Sequence, residues 1–139
     1  MNYKNILLAA LLALTLSACA LTRKDTNPWL EAKAGKTGEN ISGKWTTAGG
    51  VGANWGEANF IQDGTRFYGT LGSYYVDGSI NGDHIYLALS SGKKVYYTAR
   101  LNRNPDGGYD GKVVEGAIID SSNHADEGFT LMTLRRLGN

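Results

Sequence analysis

Two histidines limit the side-chain chemistry open to this 139-residue chain. His124 lies in Asp120-Ser121-Ser122-Asn123-His124-Ala125-Asp126-Glu127, the most polar loop of the sequence. Its serines, histidine and carboxylates could be drawn as a hydrolase's nucleophilic triad or as a His/carboxylate metal site. Polar loops collect such residues because they are solvated, and one histidine is thin support for a metal. His84 follows Asn81-Gly82-Asp83 and reads as a solvated turn residue. There is no Gly-x-Ser-x-Gly elbow and no phosphate loop. Gly49-Gly50-Val51-Gly52 joins two strands rather than opening a helix, so it brings no helix dipole to an anion. The sequence therefore points away from an enzyme, and it calls for no cofactor and no metal.

Covalent chemistry is expected at one residue, Cys19, the single cysteine of the chain. Lys4 supplies a positive n-region, and the apolar run from Ile6 to Leu16 is too short to span a bilayer. Leu16-Ser17-Ala18-Cys19 then resembles the lipobox of bacterial lipoproteins. The resemblance implies a signal peptide over residues 1–18, lipidation of Cys19, and a membrane partner reached through that anchor. Ala20, where an Asp would favour inner-membrane retention, implies the outer membrane, on its periplasmic or surface face. With no second cysteine, the exported domain has no intramolecular disulfide, so burial and hydrogen bonding must hold it together.

Charge excludes one class of partner. Of 14 Lys and Arg, only Lys4 lies in residues 1–18, which leaves 13 basic against 13 acidic side chains in the rest. A balanced chain offers no counterion release to nucleic acid.

The elements that would position any site follow from the hydropathy pattern. Residues 19–40 are polar and without alternation, and read as a lipidated N-terminus and tether. Within them Asn27-Pro28-Trp29-Leu30 could start a short helix, capped by Asn27, whose Trp29 and Leu30 would plug or flank the domain. From residue 41 to 139 the apolar period is two, giving strands over 41–47, 54–62, 65–72, 74–80, 84–90, 93–102, 109–119 and 128–136. Glycine-containing turns join them, with Asp63-Gly64 expected to take positive φ at both residues. Eight short strands in an antiparallel meander most naturally close into a small all-β barrel, although an open sandwich fits the same strands.

Alternation assigns Gly43, Trp45, Phe67, Leu71, Tyr74, Val76, Ile80, Ile85, Leu87, Leu89, Val95, Tyr97, Ala99 and Leu101 to the interior. Trp45, Phe67, Tyr74 and Tyr97 would largely fill it. Glu115 is a carboxylate in the apolar phase, and belongs near an open end or beside an arginine. In the outward phase Tyr68, Tyr75, Tyr86 and Tyr96 fall on four successive strands. They are either β-formers on a half-exposed surface or an aromatic binding platform.

Gly43-Lys44-Trp45 on the first strand, with Arg135 and Arg136 on the last, resembles the calycin pattern of lipocalins and avidins. That pattern implies a tryptophan closing one barrel end beneath a basic side chain from the final strand. An avidin-sized or protease-inhibitor barrel is the nearer match in length. The expected function is non-enzymatic binding to a protein, as an inhibitor, protector or envelope accessory. Carriage of a small apolar ligand is the alternative, with contacts on the tyrosine face or on the loops at a mobile mouth around Gly49–Trp55 and residues 121–127.

Overall fold

A computed structural model describes residues 20–119 and 128–138. Cys19 and the His124 loop lie outside the described residues. Eight strands run in order: β1 Gly43–Thr46, β2 Glu57–Asp63, β3 Arg66–Leu71, β4 Tyr74–Asn81, β5 His84–Ser91, β6 Lys94–Arg103, β7 Tyr109–Glu115 and β8 Phe129–Arg136. Each pairs antiparallel with the next, and β1 pairs with β8 through Trp45↔Arg136 and Thr46↔Arg135, so the sheet is a closed barrel. Closure decides against the open sandwich.

Four hairpins share one turn. Gly64-Thr65, Gly72-Ser73, Gly82-Asp83 and Gly92-Lys93 each place glycine first, with φ between 57° and 64°. No residue other than glycine has positive φ among those described. The expectation for Asp63-Gly64 is corrected accordingly: Asp63 stays in β2, opposite Arg66, and only the first turn residue needs the glycine conformation.

The interior is packed. Trp45, Phe60, Phe67, Leu71, Ile80, Leu87, Leu101, Tyr109, Met132 and Leu134 are almost fully withdrawn from solvent. A side chain at Gly78 would overlap the Phe67 ring, so the missing Cβ is filled by an aromatic from the neighbouring strand. Each large buried side chain contributes about 1.5–3 kcal/mol relative to exposure. That scale makes a stable domain without a disulfide reasonable.

Val95 is a correction to the interior set. The β5–β6 register slips after Leu89, so Leu89 faces Tyr97 but Ser90 faces Val95. Tyr96 is the extra residue of this bulge, which reverses the phase of Val95 and turns it outward.

The N-terminal segment is also corrected. Instead of a free tether, it forms an 11-residue helix, α1 (Arg23–Lys33), docked on the outer wall. Thr22, not Asn27, caps it: the Asp25 carboxylate accepts the Thr22 backbone N–H at 3.0 Å. Pro28 sits inside the helix at an exposed position, where it removes one intrahelical hydrogen bond. Trp29 and Leu30 pack on Tyr86, Ala88 and Val95, the flanking alternative. Beyond the helix the chain stays attached, with Gly35 N–H donating to Ile80 O and Gly82 N–H to Lys36 O.

Candidate functional site

The two barrel ends use tryptophan differently. At the end where β8 finishes, Trp45 is buried and its Nε1–H donates to Ile41 O at 2.9 Å. The Arg136 guanidinium lies 4.3 Å from the Trp45 ring and donates to Ser42 O at 3.0 Å and to Asn40 O at 2.6 Å. Gly43 has φ 124°, and a side chain there would meet the same guanidinium at 3.4 Å. The stack that the sequence pattern implied is thus carried by Arg136. Arg135, expected to share this structural role, points the other way and donates to Ala48 O. The reason is strand alternation: Arg136 shares the phase of the core residues Met132 and Leu134, Arg135 that of Thr133.

At the opposite end the barrel is open. Thr47 positions Trp55 there, its hydroxyl accepting the Trp55 backbone N–H at 2.7 Å and donating to Gly56 O at 2.9 Å. Trp55 stands edge-on to Tyr97 with ring centroids 4.9 Å apart, and Tyr97 stands edge-on to Tyr74 at 5.7 Å. The Trp55 Nε1–H is buried with no acceptor among the described residues. A recess of about 210 Å³ lies here, lined by Ala53, Trp55, Tyr97, Val113, Glu115 and Thr130 among others. Glu115 is exposed at this open end, one of the two placements expected for it. Burial, helped by the negative field of Glu115, raises the Tyr97 pKa above the ordinary tyrosine value. At the closed end burial raises that of Tyr109, with the Arg103 guanidinium opposing it.

Three segments drape the outer wall. The glycine-rich loop does not line the open mouth. It folds across β8, where the Val51 N–H donates to Thr133 Oγ1 at 3.1 Å. The chain after β7 covers β6, with Thr98 Oγ1 donating to Ala117 O at 2.7 Å and accepting the Ile119 N–H at 2.8 Å. Helix α1 covers β4, β5 and the start of β6. Arg23 bridges Asp77 at 3.3 Å and donates to Ser90 Oγ at 3.1 Å, while Thr26 Oγ1, Trp29 Nε1 and Ser79 Oγ are buried there without partners among the described residues.

Exposed apolar surface is concentrated on β2, β3 and the first residues of β4; elsewhere among the described residues the exposed large hydrophobics are Val51, on the loop over β8, and Leu131 beside it. Ile61 is 72% exposed, Tyr75 57% and Tyr68 42%. Ile61 sits directly opposite Tyr68, and Tyr75 lies on the next strand, diagonal to Tyr68, whose own partner is Asp77. The Arg66 guanidinium lies 5.6 Å from the Tyr68 ring centroid. The four-tyrosine platform is therefore corrected to half its size. Tyr86 is only 9% exposed because Trp29 stands edge-on against it at 5.9 Å. Tyr96, displaced by the bulge, packs on Tyr74 at 6.1 Å under the Lys94 ammonium. Ile61 joins the surviving pair. Its signal was an apolar residue in the outward phase of β2, between Asn59 and Asp63.

A polar cleft of about 670 Å³ separates the loop over β8 from the β6–β7 connection. Of its charged side chains, Asp110 accepts from Asn104 Nδ2 at 3.2 Å, Arg135 is held by Ala48 O and Arg136 by Ser42 O and Asn40 O, while Asp106 is exposed on the β6–β7 connection. His84 bonds Asn102 across the strands at 2.6 Å. Among the described residues no three His, Cys, Asp or Glu side chains gather to hold a metal, and no helix is long and apolar enough to cross a membrane. Comparison with protein-family models, with curated proteins and with solved structures finds no match to the chain.

Proposed function

We propose that the chain is a lipid-anchored protein of the bacterial outer membrane whose barrel is a rigid, non-enzymatic binding module for a protein partner. The carrying observation is the cluster of Ile61, Tyr68 and Tyr75, the three most exposed large apolar side chains of the strands, on a barrel whose β4–β6 and β8 faces are draped by its own chain. Exposed aromatic and aliphatic side chains on a stiff sheet bind at small entropic cost, and an arginine beside them adds a directional donor. The lipobox supports the anchor, and the Trp45–Arg136 stack supports the likeness to calycin barrels.

Small-molecule carriage is the second reading, favoured by the unpartnered Trp55 N–H beside the open recess. Ligand pockets usually enclose about 300–1,000 Å³. The packed core and a 210 Å³ recess fall short of that, so the wall is the stronger candidate.

A photo-reactive residue at Thr70, in the middle of the Ile61–Tyr68–Tyr75 wall, should cross-link one discrete protein in cells. Ile61→Asp and Tyr75→Ala should each weaken that partner ten-fold or more with the melting temperature held, a loss of about 1.4 kcal/mol. Unchanged cross-linking in both variants would remove the wall from consideration.

A further inference from the structure

The chain enters the fold at the barrel's open end. The Val95 N–H donates to Leu21 O at 2.8 Å, and Thr22 forms an antiparallel bridge with Lys94 beside the Gly92 turn. Only Ala20 lies between Cys19 and Leu21, and two residue steps of chain reach at most about 7 Å. A lipid on Cys19 would therefore hold the open end against the bilayer, not at the distance a flexible tether allows.

The rim at that end has the composition of a membrane interface. Ring contacts run without a break from Trp55 to Tyr97 at 4.9 Å, Tyr97 to Tyr74 at 5.7 Å and Tyr74 to Tyr96 at 6.1 Å. Lys94, 4.7 Å above the Tyr96 ring, joins this row to the point of chain entry. Tryptophan and tyrosine prefer the headgroup layer because an apolar body and a polar tip are both satisfied there, and lysine extends past them to the headgroups. Charge contributes little, because Arg23, Lys24, Lys93 and Lys94 near the entry are offset in part by Asp25 and Glu115.

We infer that the rim formed by Trp55, Tyr74, Tyr96 and Tyr97 is seated in the headgroup layer of the membrane that receives the Cys19 lipid. This rests on the lipid-anchor reading above. The seat stands the barrel upright on its open end, turning the Trp45–Arg136 end away from the bilayer and leaving the Ile61–Tyr68–Tyr75 wall free at the side.

The full chain, expressed in a bacterium with 5-fluorotryptophan and purified from membranes, tests both levels. Its intact mass should show acylated Cys19, and Cys19→Ser should abolish the added mass. In nanodiscs of phosphatidylethanolamine and phosphatidylglycerol carrying a headgroup nitroxide lipid, the Trp55 fluorine resonance should be lost and that of Trp45 retained. Trp29→Phe and Trp55→Phe assign the lines without disturbing Trp45. Omitting phosphatidylglycerol should leave the loss unchanged, and a loss that requires it would replace the aromatic seat with an electrostatic one. An acylated protein whose Trp55 and Trp45 lines survive equally, as when another protein occupies the rim, overturns the seat alone. An unacylated protein overturns the anchor and the seat together.

Discussion

Trp45 and Trp55 are ten residues apart, at opposite ends of one barrel, and their surroundings differ in kind. Trp45 is buried, its N–H is bonded to Ile41 O, and its face is covered by a guanidinium that also fastens two backbone carbonyls. Trp55 is half-buried, and its N–H has no acceptor among the described residues. One residue type thus marks both the end that holds the fold together and the end that retains unused bonding capacity. A buried donor left unpaired costs about 1–3 kcal/mol. Trp29 Nε1 under helix α1 carries the same cost, and of the two barrel ends only the open one has a tryptophan that does.

Removing the closed-end ring should have the largest effect. Trp45→Ala is expected to cost about 3–5 kcal/mol through lost burial and an unfilled cavity, read by denaturant unfolding. An equal loss in Trp55→Ala would break the distinction between the ends. Next, Arg136→Ala should cost about 1–2 kcal/mol, since it removes charge-assisted bonds to two carbonyls and the ring stack. Arg136→Lys should recover only part of that, because an ammonium cannot fork between Ser42 and Asn40 while lying flat on the indole. Arg135→Ala, which removes an exposed arginine held by one carbonyl, should cost less than Arg136→Ala in the same experiment.

Alkaline titration sharpens the contrast. The folded-state pKa values of Tyr109 and Tyr97 are raised, so the folded protein holds these protons more tightly than the unfolded chain does. Their contribution is present in full below the unfolded tyrosine pKa near 10 and is lost as pH rises through the folded values. The melting temperature should fall above about pH 10, and Tyr109→Phe should reduce the fall more than Tyr97→Phe, since Tyr109 is the more completely buried. The smallest effect belongs to Trp55→Phe. It deletes the unpaired N–H and keeps most of the ring, so stability should be unchanged within about 0.5 kcal/mol or slightly higher.

The strands were legible because period-two alternation and repeated glycine turns are local properties. Gly64, Gly72, Gly82 and Gly92 each sit where their hairpin needs positive φ, and these turns fix the register between β2 and β6. The docked helix was legible only in part: Trp29 and Leu30 announced a short helix against the domain, but its start at Arg23 and its Thr22 cap have no apolar signal. The other readable sign lay elsewhere, in Ile85-Tyr86-Leu87-Ala88-Leu89, where both phases are apolar and every residue is buried. A strand apolar on both faces is covered on both faces. Tyr86 belonged to that signal and not to an exposed platform. Val95 was missed because a bulge leaves alternation on either side intact and exchanges only its meaning. The Arg135–Arg136 choice hinged on the same one-residue phase, which adjacent arginines cannot resolve by themselves.

The seam that closes the barrel is two register pairs long, and the chain's route to it governs how a mechanical load would act. A pull on the segment before Leu21 first meets the backbone bond to Val95, then the docked helix, then the bonds that Gly35 and Lys36 make with Ile80 and Gly82. All of these are rooted in β4, β5 and β6, across the barrel from the seam. Tension would be dissipated in the strongest part of the sheet before reaching β1, so the narrowest joint in the structure is also the one most sheltered from force.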